Sequence, residues 1–535
     1  MRRSGVIFTA FLTGLLPVLP LHAFVPRSPL SVSRQADSGF AAVSFGLDLP
    51  SLAESVTNEA GVLAGRTVRD IPGRSVTETG IDGLDRVTRY AGGGRAVSVL
   101  RPDGVLVSNV WDAAGRLAEV RHGGSNVLGI AYRADGLPSA ASNASSSVSW
   151  AYDALGRATN QLSHFRTLEL PNFSVSYSLS SSALATNTHF GVQGSAFDVQ
   201  RSFDPAGRLS ALATPAGTFR IEYDGTNGLP ALITNAVFSA RYFYDALGRP
   251  TNALFAATAA TWRRQCPCKY DDAGAVTQKV TRLGDFTLDR LSYACDTPGR
   301  ITREVAVRGR ATVTNICAYD AAGNRTEASS NGVRYAYGYG NNRLVSVSTN
   351  GAFASAVLYD AAGNVTSMVS RAGVRLSLSW NTRGQLVSVS ANGAFAESYA
   401  YDPLGRRVRT TTGTNAVFHV YDGGQCVADL DASGRPLRAY TWGPGVDNLL
   451  ALTVYPSGTG ATNSYYALKD SAGTVWMLSD ASGTIAENYA CDAWGCTAVR
   501  SGGTAAVIPA SAYGLRFLFH GGAYSAATGL YQFRA

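Results

Sequence analysis

Lysine is almost missing from this chain: Lys269, Lys279 and Lys469 stand against 43 arginines in 535 positions. Charge of either sign is thin, 16% against roughly 25% in an average soluble domain. With lysine and glutamate scarce, the long straight helix formers are missing, which excludes a helical bundle or a doubly wound fold. Past the N-terminus no apolar run is long enough to cross a bilayer, which excludes a helical multi-span membrane protein. There is no Gly-x-Ser-x-Gly elbow, no P-loop and no His-Glu-x-x-His, so the usual catalytic motifs are silent and no catalytic residue is assigned. His122, His164, His189, His419 and His520 lack metal-ligand spacing and read as surface or turn histidines. An EF-hand needs several acidic ligands within 12 residues, and here each turn offers one carboxylate. No metal and no cofactor is expected. What is abundant is glycine, 57 residues, with Ser, Thr, Val and Tyr, the composition of an all-β chain rich in turns.

The N-terminus reads as an address. Arg2 and Arg3 precede an apolar stretch from Val6 to Leu19, and Ala23 offers a small residue for cleavage. The stretch is shorter than the roughly 20 residues of a spanning helix, so residues 1–23 are expected to be a signal peptide. The mature chain is then expected to be secreted or held at the cell surface, with no transmembrane segment. Loss of the two arginines lowers the net charge from +8 to +6. Arg116, Arg157, Arg208, Arg249, Arg300 and Arg406 fall one per repeat and form no basic block, so no nucleic-acid partner is expected.

A unit of about 20 residues runs through the chain, aromatic-Asp-x-x-Gly-Arg/Asn. Clear copies are Tyr152-Asp153…Gly156-Arg157, Tyr244-Asp245…Gly248-Arg249, Tyr319-Asp320…Gly323-Asn324, Tyr359-Asp360…Gly363-Asn364 and Tyr401-Asp402…Gly405-Arg406. From Tyr319 the aromatic steps are 20, 20, 21, 21 and 20 residues, the mark of a repeat architecture. The aromatic suits a pleated, half-buried strand end. Asp bonds the backbone two residues on and starts a turn. Gly takes the positive φ of a bulged hairpin. Half a period later Asn331-Gly332, Asn350-Gly351 and Asn392-Gly393 supply the dipeptide of tight type I′ turns. Each unit is therefore two strands, one array edge carrying Asp-x-x-Gly turns and the other Asn-Gly turns. A lone hairpin cannot bury its apolar face, so the units must join into one curled antiparallel sheet.

These units resemble the YD repeat of the RHS and teneurin-like families. The segment Tyr421-Asp422-Gly423 through Tyr440-Thr441-Trp442-Gly443-Pro444-Gly445 is similar to the start of the RHS-associated core. Asp470-Ser471-Ala472-Gly473, Tyr489-Ala490-Cys491-Asp492-Ala493-Trp494-Gly495 and Phe517-Leu518-Phe519-His520-Gly521 continue that core in order, and Thr528-Gly529-Leu530-Tyr531 matches its close. The resemblance implies a spiral hollow β-shell, which in some members encloses a toxin effector and in others serves adhesion or carbohydrate binding. The self-cleavage aspartates of the family follow Gly-Leu-Tyr and have no counterpart before Ala535. The shell role is carried over and the protease role is not.

The expected organisation is a signal peptide at 1–23, a lead-in or cap at 24–80, the repeat array at 81–420 and a shortened RHS-associated core at 421–535. Within the array, residues 158–202 have room for two eroded repeats, and residues 500–535 should close the end as a cap or plug. Seven cysteines leave at least one thiol unpaired. Buried thiols and disulfides are both open readings for them. Cys491 and Cys496 take the aromatic and arginine positions of one turn, which would face each other, and they are a candidate disulfide. The preferred function is a non-enzymatic exported shell for enclosure or surface attachment, its partner an enclosed polypeptide or a cell-surface carbohydrate. One alternative is a carbohydrate-binding adhesin, although stacked repeat aromatics read first as a packing ladder. The other is a toxin-delivery polypeptide lacking its effector.

Overall fold

A computed structural model describes residues 44–48, 53–57, 63–70, 73–80, 83–165, 173–180, 182, 184–192, 195–258, 263–370, 373–456, 462–470, 472–495, 497–502, 504 and 506–533. The expected signal peptide lies outside the described residues. Among them the secondary structure is strand throughout, save one short 3-10 turn at Phe519–Gly521.

The hairpins form as the turn chemistry dictates. At the Asp edge, the Asp153 N–H donates to Arg157 O (2.9 Å) and the Gly156 N–H to Asp153 O (3.1 Å), with Gly156 at φ +74°. The ladder slips by one residue between Ala151 and Tyr152, so each repeat aromatic sits at a bulge. At the other edge Asn392 and Gly393 take φ +50° and +83°, as a type I′ turn requires. Asn is suited here because its Oδ1 also accepts the Arg375 N–H (2.9 Å).

Neighbouring strands pair in chain order, all antiparallel. Among the described residues this gives a 30-stranded sheet from Ser44–Asp48 to Ala352–Ala356 and a 15-stranded sheet from Leu358–Tyr359 to Val507–Ile508. The two meet at Val357, whose N–H donates back to Val345 O (3.0 Å). The sheet starts within the region expected as lead-in: Ser44–Asp48, Ala53–Thr57, Leu63–Asp70 and Ser75–Gly80 are its first strands. Ala158–Phe165, Phe173–Leu179, Ala185–Val192 and Ser195–Phe203 fill the stretch without clean units. Arg263–Gln265 and Cys268–Tyr270 are two pieces of one strand, both paired with Val276–Leu283 and parted by Cys266-Pro267, since proline has no N–H for the ladder.

The sheet curls until its second revolution rests on its first. The Asn143 Nδ2 donates to Tyr401 O (3.0 Å), the Tyr177 hydroxyl to Asp422 Oδ1 (2.8 Å), the Thr441 hydroxyl to Thr214 Oγ1 (3.0 Å), and the Arg308 Nη2 to Cys491 O (2.9 Å). His122 Nδ1 lies 2.8 Å from Thr382 O. Most of these contacts set an Asp-edge turn of the later strands on the earlier wall near its opposite edge. Sequence separation across the seam falls from 260 at His122–Thr382 to 227 at Thr214–Thr441 and 183 at Arg308–Cys491. Each revolution thus takes fewer residues, and the spiral tightens toward the C-terminus.

Of three apolar cores among the described residues, one gathers Leu376, Leu378, Val389 and Tyr399 of the later strands, and two join the earlier strands to the later ones. The first of these two joins Phe165, Phe173, Val175 and Phe190 to Phe418, Leu452 and Leu478, and it also receives Leu515, Phe517 and Leu518 of the C-terminal segment. The other joins Phe219, Ile233 and Phe255 to Leu450, Tyr466 and Leu468. The segment after Ile508 thus packs into the first core through Leu515, Phe517 and Leu518.

Candidate functional site: the repeat edge and a buried ionic knot

Every residue of the repeat motif has a structural task. The Tyr152 hydroxyl donates to Pro138 O (2.7 Å), Tyr244 to Pro230 O (2.7 Å), Tyr319 to Ile301 O (2.8 Å), Tyr359 to Leu344 O (2.9 Å) and Tyr401 to Leu386 O (2.8 Å). Trp380 does the same through its indole N–H to Val365 O (2.7 Å). Each hydroxyl thus reaches back to a strand laid down 14 to 18 residues earlier, which ties each repeat to the one before it.

The carboxylate of each turn accepts twice from one residue. Asp153 Oδ1 takes the Arg157 backbone N–H (2.9 Å), and Oδ2 takes its guanidinium. Asp245–Arg249, Asp402–Arg406 and Asp296–Arg300 repeat the pair. The Arg157 backbone N–H, followed by its guanidinium, holds the Asp153 carboxyl below the usual carboxylate range. Where Asn replaces Arg, Asn324 Nδ2 bonds Asp320 Oδ2 (3.0 Å) and Asn364 Nδ2 bonds Asp360 Oδ2 (2.9 Å). Gly248, Gly323, Gly363 and Gly405 hold positive φ.

The arginine then crosses to the next repeat. Arg116 lies over the Tyr132 ring (4.5 Å), Arg249 over Tyr270 (4.7 Å), Arg300 over Tyr319 (4.8 Å) and Arg406 over Tyr421 (5.2 Å). Arg406 Nη1 also donates to Gly423 O (2.7 Å). The rings are half-buried or buried with one face under a guanidinium, so the repeat aromatics do not form an open row for stacking on a sugar.

The expected facing of aromatic and arginine positions is corrected by the register. The residue opposite the aromatic is the one after the arginine: Tyr152 faces Ala158 and Cys491 faces Thr497. The arginine position belongs to the turn. Cys496 lies outside the described residues, and the candidate bond to Cys491 with it. Cys266, Cys268, Cys317 and Cys426 are buried thiols in no disulfide among the described residues.

The structure also gathers a set of residues that sequence spacing did not reveal. His419 from Asn415–Asp422, Cys426 and Asp429 from Gln425–Leu430, Arg438 and Tyr440 from Pro436–Trp442, and Arg516 from the C-terminal segment meet in the first core. His419 is 3% exposed, which corrects the reading of all histidines as surface or turn residues. Asp429 accepts from the Tyr440 hydroxyl (2.6 Å), Arg438 Nε (3.2 Å) and Arg516 Nη2 (3.1 Å), with His419 Nδ1 at 2.7 Å. Burial opposes its charge, yet Arg516, His419 and Arg438 outweigh it and hold the carboxyl well below the usual range. Burial, then Arg516, pushes His419 down to about 4, and burial pushes the Cys426 thiol up to about 12.

One ligand atom from each of His419, Cys426 and Asp429 lies within 4.8 Å of the others. A guanidinium already stands at their meeting point: Arg516 Nη2 is 3.0 Å from Cys426 Sγ and 3.2 Å from His419 Nδ1. A thiol held protonated beside a cation is a poor metal ligand. It is also a poor nucleophile: His419 turns Nδ1 to Asp429 and Nε2 to Thr410 (3.0 Å), and the thiol itself donates to Ala428 O (3.6 Å) and to Asp429 Oδ1 (3.9 Å), a carboxylate already engaged by two arginines. What the knot does chemically is tie the C-terminal segment to three inner strands.

Buried carboxylates make similar ties. Glu397 accepts from Tyr399 (2.6 Å), and Glu487 from Tyr489, from Ser511 (2.7 Å) and from the Ala512 N–H (2.6 Å). Their shared Ala-Glu-x-Tyr-Ala pattern was readable in the sequence. Glu304 accepts from Asn315 (2.7 Å) and the Ala493 N–H (3.0 Å) across the seam, where Lys279 also meets Asp470 at 2.8 Å.

The model of the Teneurin YD-shell family matches residues 83–534. No curated protein sequence matches the chain. The Tc holotoxin pore of Photorhabdus luminescens aligns with a TM-score of 0.69 at 13% identity, over 93% of this chain and 30% of that one. A TcdB2-TccC3 crystal structure aligns at 0.47 and 12% identity, over 96% and 38%. The chain therefore spans about a third of the length of these structures.

Proposed function

Since the chain belongs to the Teneurin YD-shell family, we propose that it is an exported, non-enzymatic shell that encloses a guest polypeptide or holds one at the cell surface. The observation that carries this reading is the single-layer wall. Strands Ser75–Gly80 to Leu117–His122 have no buried residue, as expected where no second layer of the described residues covers either face. A solid sandwich would cover one face along its whole length. Export rests on the basic and apolar N-terminus ahead of Ala23.

Small-angle scattering of the full chain tests the enclosure. A solid domain of this length has a radius of gyration of about 24 Å. A shell gives a larger value and a pair-distance distribution skewed to long vectors, whereas a value at or below the solid one overturns the reading. Intact Met1 on protein recovered from the growth medium would overturn cleavage of the leader.

A second reading, carriage of a toxin effector, is favoured by the likeness in fold to a Tc holotoxin pore. It requires a guest that co-purifies with the shell and resists protease until the shell is unfolded.

A further inference from the structure

We propose that the outer face of strands Gly217–Tyr223 to Ala311–Tyr319 docks on an anionic lipid surface. Outer here means the face turned away from the later strands. On the inner face Phe219, Ile233, Phe255 and Cys266 are buried in the second core. Alternation along each strand then sends Arg220, Arg241, Arg263, Lys269, Arg282, Arg290 and Arg303 outward. Among the described residues one acid, Glu222, shares that face, and none of these cations makes an ion pair.

Three of them have apolar cross-strand neighbours on both sides, where a soluble sheet would place opposite charges. Arg241 stands between Leu232 and Leu254, Arg290 between Val280 and Val307, and Arg303 between Ala294 and Ile316. Phe243 follows Arg241 on the same face, and it and Ile316 are 42% and 51% exposed. The adjoining outer face is different: Ser147, Ser149, Ser174, Ser176, Ser178 and Ser202 dominate it, and His189 pairs there with Asp198 (2.9 Å). The basic face is thus local rather than a property of the whole wall, although its members are scattered in sequence.

Arginine beside exposed aliphatic side chains suits a lipid interface, where guanidinium groups meet phosphates and apolar side chains reach the acyl boundary. Single-stranded nucleic acid would use a charged groove lined with stacking rings, and the flanks here are aliphatic. This surface does not depend on what the shell encloses.

Co-sedimentation of the full chain with vesicles tests it, comparing phosphatidylcholine alone with equal parts phosphatidylcholine and phosphatidylglycerol. The N-terminal apolar stretch is present in every arm and cancels. Binding is expected to the anionic vesicles and to fall with salt. Each arginine removed should weaken it about fivefold, so R241Q/R290Q/R303Q should lose roughly a hundredfold. F243S/I316S should lose binding as well, with circular dichroism unchanged in both variants because these side chains are exposed. Three results would overturn the proposal: no binding by the parent chain, equal binding to neutral vesicles, or duplex DNA or heparin bound as tightly as vesicles with F243S/I316S unimpaired.

Discussion

Strands Ser75–Gly80 to Leu117–His122 and strands Asn415–Asp422 to Val475–Ser479 share the same edge chemistry, yet they live in different surroundings. The early strands are half-buried along most of their length, with no buried residue. In the late ones Gln425–Leu430 buries five of six residues in a row and Leu449–Val454 another five. A strand covered on both faces loses its alternation. The early wall must therefore be held mainly by its edges and ladder, while the late strands are held by cores and by buried charge. Identical hairpins, it follows, carry different stability according to where the spiral lays them.

The largest effect should come from the knot. Asp429→Ala leaves Arg438 and Arg516 without their counter-charge in the interior, an expected loss of about 3–5 kcal/mol. Thermal unfolding should shift sharply downward, and limited proteolysis should cut first near residues 506–533. A small shift with the C-terminal segment still protected would show that the late strands do not depend on buried charge.

Next comes a paired test of burial. Leu468 is fully buried, and Leu468→Ala should cost about 2–5 kcal/mol. Leu100 in the early wall is 43% exposed, and Leu100→Ala should stay within about 0.5 kcal/mol. Comparable losses would erase the contrast between the two regions.

Acid should act on the late strands through His419. Its folded pKa of about 4 lies below its ordinary 6.5, so between those values the unfolded chain binds a proton that the folded one does not. Stability from this group is complete above pH 6.5 and declines as pH falls toward 4, by about 3 kcal/mol in all. Asp429 adds its own loss only below that, as pH falls through its depressed pKa. His419→Gln should flatten the melting temperature between pH 6.5 and 4, and an unchanged slope would place the acid sensitivity elsewhere.

A last, modest effect should be equal in both regions. Tyr132→Phe and Tyr421→Phe each remove a hydroxyl bonded to a backbone carbonyl, at 2.9 and 2.8 Å, for about 1 kcal/mol. A much larger loss at Tyr421 would mean that the repeat edge itself changes character inside the spiral.

The repeat was legible because each link spans few residues. Tyr152, Asp153, Gly156 and Arg157 bond to partners within about one period, so their spacing in sequence is their spacing in space. The role of the arginine was only half legible, because the ring it covers belongs to the following unit. The early strands before residue 81 escaped notice because they lack the aromatic-Asp-x-x-Gly signature, although the ladder accepts them all the same.

The sequence by itself determined the turns, the strands and their meander order, because a hairpin is closed by residues a few positions apart. Only the tertiary structure decided which strands are covered twice, where the seam closes and which charges meet. Arg516 reaches Asp429 across 87 residues, and Arg308 reaches Cys491 across 183. The outward arginines gather only once eight consecutive strands are laid side by side. Such contacts depend on how tightly the sheet curls, a property summed over many small strand twists, and no local pattern of residues encodes it.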